Sequence, residues 1–135
     1  MKFDVFPYKG ALPLRFDMSQ ASIRSVVNVE YEPFRRTDEQ VVPADFFPQL
    51  GLFVYYDETE MPEAFEFATG NVELFIKGKN VLNLDRDAVL SLDPDIDFDE
   101  WEFTSNRLGL SGTWGEEGMT SALVFRRGYY ESISE

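Results

Sequence analysis

The sequence predicts an α+β fold: a tandem duplicated module whose antiparallel strands form one curved sheet, with short helices packed on one face. Three observations predict it. First, Leu50-Gly51-Leu52 and Leu108-Gly109-Leu110 each open a segment that continues through an acidic turn and returns at Met61–Phe67 and Met119–Phe125, at a constant offset of 58. Seven of the 18 positions are identical between Leu50–Phe67 and Leu108–Phe125, where average composition gives about one. Second, these segments alternate apolar and polar residues with the period of a strand. Third, a short amphipathic stretch precedes each, Met18–Ile23 and Leu84–Val89.

The elements follow in order. Lys2–Phe6 alternates, with Phe3 and Val5 on one face, and reads as a strand. Pro7–Pro13 is a connection. Asp17 or Ser19 caps a helix to about Val27, with Ile23, Val26 and Val27 as its apolar side. Val29–Phe34 reads as extended, Arg35–Val42 as loop, and Pro43–Pro48 as a helical turn bounded by prolines. Leu52, Val54 and Tyr56 share one strand face; Phe53 and Tyr55 share the other. Glu63–Ala68 returns with Phe65 and Phe67 opposite Glu66, Gly70-Asn71 turns, and Val72, Leu74 and Ile76 mark a third strand. A second helix starts at Asn83 or Asp85 and buries Leu84, Ala88, Val89 and Leu92 before Pro94 ends it. Glu100–Phe103 then starts a strand with Trp101 and Phe103 inward. Leu108–Trp114 and Thr120–Arg127 make the second hairpin, and Ser132–Glu135 frays. The halves divide at about 1–76 and 77–130 of a single domain. Joined edge to edge, the hairpins leave one sheet face open, carrying Phe53, Tyr55 and Phe75.

Composition bounds the function. A chain of 135 residues with 44% hydrophobic residues and 13 Phe buries a core without staples. The net charge of −13 argues against nucleic acid and against an anionic membrane surface, both of which require a cationic face. It favours a basic protein partner, with faster encounter at low salt. The absence of Cys and His excludes disulfides, thiolate chemistry, zinc fingers and His-based triads. Met1–Pro7 lacks the apolar run of a signal peptide and no segment has the length of a membrane span, so a cytoplasmic location is expected.

Phe16-Asp17-Met18-Ser19 ahead of the first helix, together with the paired Leu-Gly-Leu hairpins, resembles the helix-loop-strand modules of the beta-lactamase inhibitory proteins and of the BamE/SmpA lipoproteins. Asp17 stands where their glycine would be, and there is no lipid-anchor cysteine. The size, the acidity, Leu50-Gly51-Leu52 followed by Tyr55-Tyr56-Asp57, and Phe125–Tyr130 also resemble small bacterial immunity proteins of polymorphic toxin systems. Both resemblances imply a protein that inhibits another protein by docking on it.

Three groups are candidates for a partner-binding surface. Asp57, Glu58 and Glu60 cap the first hairpin and Glu116 and Glu117 the second; charged tips are also ordinary turn chemistry. Tyr55, Tyr56 and Trp114, with Tyr129 and Tyr130, are residue types that dominate interfaces, and also types that fill cores. Asp95, Asp97 and Asp99 share one side of the stretch Asp93–Glu100 if it is extended. Its D-x-D-x-D start is similar to a calcium loop but has Phe98 at the sixth position and Thr104 at the twelfth, so no metal or cofactor is expected. The leading expectation is a small acidic immunity or inhibitor protein that neutralises a basic toxin or enzyme by steric and electrostatic occlusion. The alternatives are an enzyme with a carboxylate-based site, marked by two acids of raised pKa in a deep cleft, and a subunit that self-associates as a homodimer.

Overall fold

The computed structural model describes residues 1–38 and 41–130. In chain order the elements are β1 (Lys2–Phe6), β2 (Gly10–Leu12), β3 (Leu14–Arg15), α1 (Gln20–Val27), β4 (Glu32–Phe34), β5 (Ala44–Phe47), β6 (Leu52–Tyr56), β7 (Pro62–Ala68), β8 (Glu73–Ile76) and β9 (Lys79–Asn80). A 3-10 turn at Val81–Asn83 leads to α2 (Arg86–Leu92), β10 (Asp97–Phe98), β11 (Glu102–Ser105), β12 (Leu110–Gly115) and β13 (Gly118–Phe125). The expected fraying at Ser132–Glu135 lies outside the described residues.

The fold is α+β, built on an eight-stranded sheet of order β10-β11-β12-β13-β7-β6-β5-β4. Each half supplies a helix and then a four-stranded antiparallel meander, and the two meanders meet where β13 pairs antiparallel with β7, centred on Leu123 opposite Glu66. The repeated Leu-Gly-Leu has a backbone reason. Gly51 and Gly109 take φ of 61° and 63°, a left-handed conformation that costs other residues more. Their carbonyls accept from the amides of Ala68 at 2.8 Å and Phe125 at 2.9 Å, and the flanking leucines are buried.

Ser19 and Asp85 cap the helices, accepting from the amides of Ser22 at 3.1 Å and Ala88 at 2.9 Å. Both helices pack on one face of the large sheet: Ile23, Val27, Val89 and Leu92 join one core with Leu52, Val54, Phe65, Phe67, Leu110 and Val124. Val26, expected on the apolar side, is exposed, because eight residues of helix bury only a narrow stripe.

Three expectations are corrected. Pro43–Pro48 is not a helical turn: Ala44–Phe47 is β5, hydrogen-bonded between β4 and β6. The third strand of the first half leaves the large sheet. β8 pairs parallel with β1, in a second sheet of order β3-β2-β1-β8-β9 that brings Phe3, Val5, Leu14, Leu74 and Ile76 to the same core. The division at 76/77 therefore falls inside the β8–β9 hairpin, where Ile76 pairs with Lys79. Finally, the outer face of the large sheet is not open with Phe53, Tyr55 and Phe75. Phe75 belongs to the second sheet. Tyr55 is 4% exposed in a smaller cluster with Ala44, Ala64, Phe125 and Tyr129, against which Phe53 packs.

Candidate functional site

Burial first sorts the candidates. Tyr55, Tyr56 and Trp114 are 4%, 3% and 8% exposed, so their rings are mostly packed inside the molecule, and of the three only Trp114 shows an edge to the groove described below. Tyr56 donates to Asp45 at 2.8 Å, and Arg24 donates to both oxygens of that buried carboxylate at 2.9 Å, tying α1 to β5 and β6. Tyr55 donates to Glu66 at 2.5 Å under the Arg36 guanidinium, which lies 3.5 Å from its ring centroid and donates to the Tyr129 hydroxyl at 3.1 Å. Burial first, and then the Glu66 carboxylate, raise the Tyr55 pKa and keep the phenol protonated. Trp114 places its indole N–H on the Leu84 carbonyl at 3.0 Å.

The two acidic tips do not form one surface. β7 and β13 start at their tips and run antiparallel, so the tips lie at opposite ends of the sheet. At the first tip Asp57 is an internal ligand. It accepts from the Thr59 hydroxyl at 2.6 Å, the Thr59 amide at 2.8 Å, the Met61 amide at 3.1 Å and Arg126 at 2.7 Å. Partial burial opposes ionisation, but these donors outweigh it and hold the Asp57 pKa at about 2. Glu63 shifts the other way, raised by burial and by Asp57 against the pull of Arg126. Arg126 stands between the two carboxylates, 2.7 Å from Asp57 and 3.5 Å from Glu63, and pairs with both. Glu58 and Glu60 remain as exposed tip charges.

The acidic stretch also divides. Asp93 is buried, accepting from Ser105 Oγ at 2.6 Å and from the Asp95 amide at 3.0 Å. These bonds and Arg107 hold it ionised below the usual range in spite of its desolvation. Asp95 points outward to Arg107 at 2.8 Å. The two carboxylates thus diverge. Asp97 is exposed on the edge strand β10, and Asp99 accepts from the Glu100 amide at 2.7 Å.

What the chain does bring together is a groove of about 720 Å³ between the start of α2 and the margin of the large sheet. One bank is Asp85, Arg86 and Asp87 of α2 and its cap. The other is Glu100 and Trp101 from the β10–β11 turn, with Trp114, Gly115, Glu116 and Gly118 from the β12–β13 hairpin. Trp101, expected inward, is 49% exposed. Alternation does place it on the face of Phe103, but it precedes β11, at the groove rather than in the core. Its carbonyl accepts from the Trp114 amide at 2.8 Å, which holds the two tryptophans side by side across strands. Phe98, 38% exposed, stacks on Trp114 at 6.2 Å between centroids. The Arg86 guanidinium lies 5.2 Å from the Trp114 ring and 5.5 Å from that of Phe98, and donates to the carbonyls of Asp99 and Glu100. It pins the acidic turn to α2.

The sequence candidates Glu116, Glu117, Asp97 and Asp99 therefore lie at or beside this end of the molecule. Trp101, Phe98, Arg86, Asp87 and Glu100 complete it and are not among the sequence candidates. The available signal is two aromatics three residues apart inside an acidic run. Comparison of the chain with protein-family models, with curated proteins and with solved structures finds no match. Among the described residues no helix is long and apolar enough to cross a membrane.

Proposed function

We propose that the protein is an acidic docking protein of the immunity or inhibitor kind. It acts in the cytoplasm and covers a cationic site on a basic toxin or enzyme with the end of the molecule formed by α2, β10 and the β12–β13 turn. The observation that carries this reading is the exposure of Trp101 and Phe98 among carboxylates. A half-exposed tryptophan ringed by Asp87, Glu100 and Glu116 is the pattern of an interface anchor with a polar rim. Charge supports it: from Asp85 to Glu102 the chain carries eight acids against one arginine. Such a field speeds encounter with a cationic surface and rejects anionic ones. Occlusion would be steric from the rigid sheet margin and electrostatic from its rim.

The test is capture on the tagged chain from native lysate at low and high salt, run in parallel with Trp101→Ala and with Glu58→Gln/Glu60→Gln at the opposite tip. The reading expects one basic protein, retained at low salt, released at high salt, lost with Trp101→Ala and kept with the tip variant. Capture of a partner that is indifferent to Trp101→Ala, or of no partner but the chain itself, counts against it.

A further inference from the structure

Within that proposed function, which this inference deepens, we infer that the groove is a slot for a single arginine side chain of the partner, received flat against the Trp101 indole between the carboxylates of the two banks. The groove already works this way for a cation of its own. Arg86 rests over Trp114 and Phe98 and spends its donors on the carbonyls of Asp99 and Glu100. That contact fills the inner part of the aromatic floor and leaves Trp101, its outer part, 49% exposed.

The rim charges select the ligand. Asp85, Asp87, Glu100 and Glu116 line the groove against Arg86 alone, an excess of three negative charges from four acids and one base. An anion or a carboxylate-bearing ligand is repelled there, whereas a cation gains from both the ring face and the rim. Two acids begin the short helix α2, so its bank is negative rather than anion-accepting. A shallow, largely open depression of about 720 Å³ admits one long side chain with its flanking backbone.

Arginine is favoured over lysine on chemical grounds. A planar guanidinium stacks on an indole and still presents in-plane N–H donors to carboxylates on either side, while an ammonium must choose between ring and rim. The backbone beneath the groove adds to this. Trp114 is fixed by its Leu84 hydrogen bond, and the Trp101 backbone is fixed to Trp114, so the segment that carries the receiving ring is in place before binding.

The experiment is titration calorimetry of the full chain with acetylated, amidated hexa-arginine and hexa-lysine at low ionic strength. It is repeated with Trp101→Ala, Trp101→Phe, Glu116→Gln/Asp87→Asn and, as an equal charge change elsewhere, Glu58→Gln/Glu60→Gln. Hexa-arginine is expected to bind more tightly than hexa-lysine. Trp101→Ala should weaken it by roughly 5- to 30-fold, the range for a partly desolvated cation–ring contact. Trp101→Phe should fall between, and Glu116→Gln/Asp87→Asn should weaken it more than the tip variant does. Far-UV circular dichroism of each variant checks that the fold is kept, and Glu116, on an exposed turn, gives a reading independent of Trp101. Equal affinity for both peptides, equal loss in the two charge variants, or no effect of Trp101→Ala overturns the slot while leaving a basic partner in place. A slot that binds hexa-arginine as expected in a chain that captures no basic protein overturns the function and leaves the slot.

Discussion

Phe67 and Phe125 stand 58 residues apart at matching positions of the two Leu-Gly-Leu segments, yet they lie on opposite faces of the large sheet. Phe67 is in the main core, 4.8 Å from the ring of Phe3. Phe125 pairs in register with Ala64 and packs under Tyr129 and Tyr130 on the outer face. The first strands keep the offset, down to irregularities at Tyr55/Tyr56 and Thr113/Trp114. The turns do not. Tyr56 and Pro62 enclose five residues, Trp114 and Met119 only four. One residue less in the turn moves every later side chain to the other face.

That register makes a test. Val124 faces the core and its neighbour Leu123 the outer face, where it is half-buried. Val124→Asp is expected to abolish cooperative thermal unfolding by placing a charge in the core, while Leu123→Asp should lower the melting temperature and keep the transition. Equal losses, or a larger loss for Leu123→Asp, contradict this pairing of β13 with β7.

Gly112 should not tolerate a methyl group. It pairs with Phe103, and a Cβ there would sit 2.3 Å from Phe103 Cε1, inside a ring that is itself buried. Gly112→Ala is expected to cost about 1–3 kcal/mol by overpacking, read from urea denaturation. Phe103→Leu in the same chain should recover part of that loss.

The buried Arg24–Asp45–Tyr56 group should respond asymmetrically. Arg24→Met leaves a carboxylate that is 2% exposed with Tyr56 as its remaining donor, and is expected to cost about 3 kcal/mol. Asp45→Asn keeps an acceptor for Tyr56 and leaves Arg24, a third exposed, able to reach water, so it should cost less. Denaturation of both single variants and the double variant checks the order.

Acid sensitivity should carry the mark of Asp57. Its folded pKa of about 2 lies below the ordinary value of 3.8, so the folded state holds the proton less tightly than the unfolded chain. The stabilisation is complete above about pH 4 and is lost as pH falls toward 2. Asp57→Asn should lower stability at neutral pH and flatten its fall in that window. Glu63, shifted upward, contributes with the opposite sign: its share is present at low pH and is lost as pH rises through its raised pKa. Equilibrium unfolding of the parent and of Asp57→Asn from pH 7 to pH 2 separates the two.

Half-exposed Trp101 should matter less to stability than buried Trp114. Trp101→Ala is expected to cost about 1–2 kcal/mol from the apolar area it still buries, while Trp114→Ala should cost about 3–5 kcal/mol. Side-by-side denaturation of the two variants checks the assignment of one tryptophan to the groove edge and the other to the core.

The sequence by itself determined the local features. Alternation located β1, β6, β7, β12 and β13, since side chains in an extended chain must take opposite sides in turn. Asp17 or Ser19, and Asn83 or Asp85, announced the helices because a short polar side chain satisfies the free amides of a first turn, and the structure caps them with Ser19 and Asp85. The two Leu-Gly-Leu segments marked the openings of β6 and β12, and the structure adds the left-handed backbone of their glycines. Alternation says which residues share a face, but not what covers it. Only the tertiary structure decided that β8 leaves for β1, that Arg36 lies over Tyr55 in the cluster that holds Tyr129, and that Trp101 stays half-exposed at the groove. Those outcomes depend on contacts between segments far apart in the chain, and on a single residue of turn length, neither of which any local pattern records. The groove is of the same kind: its acids come from the start of α2 and from two turns, and its exposed ring from a strand margin, brought together by packing alone.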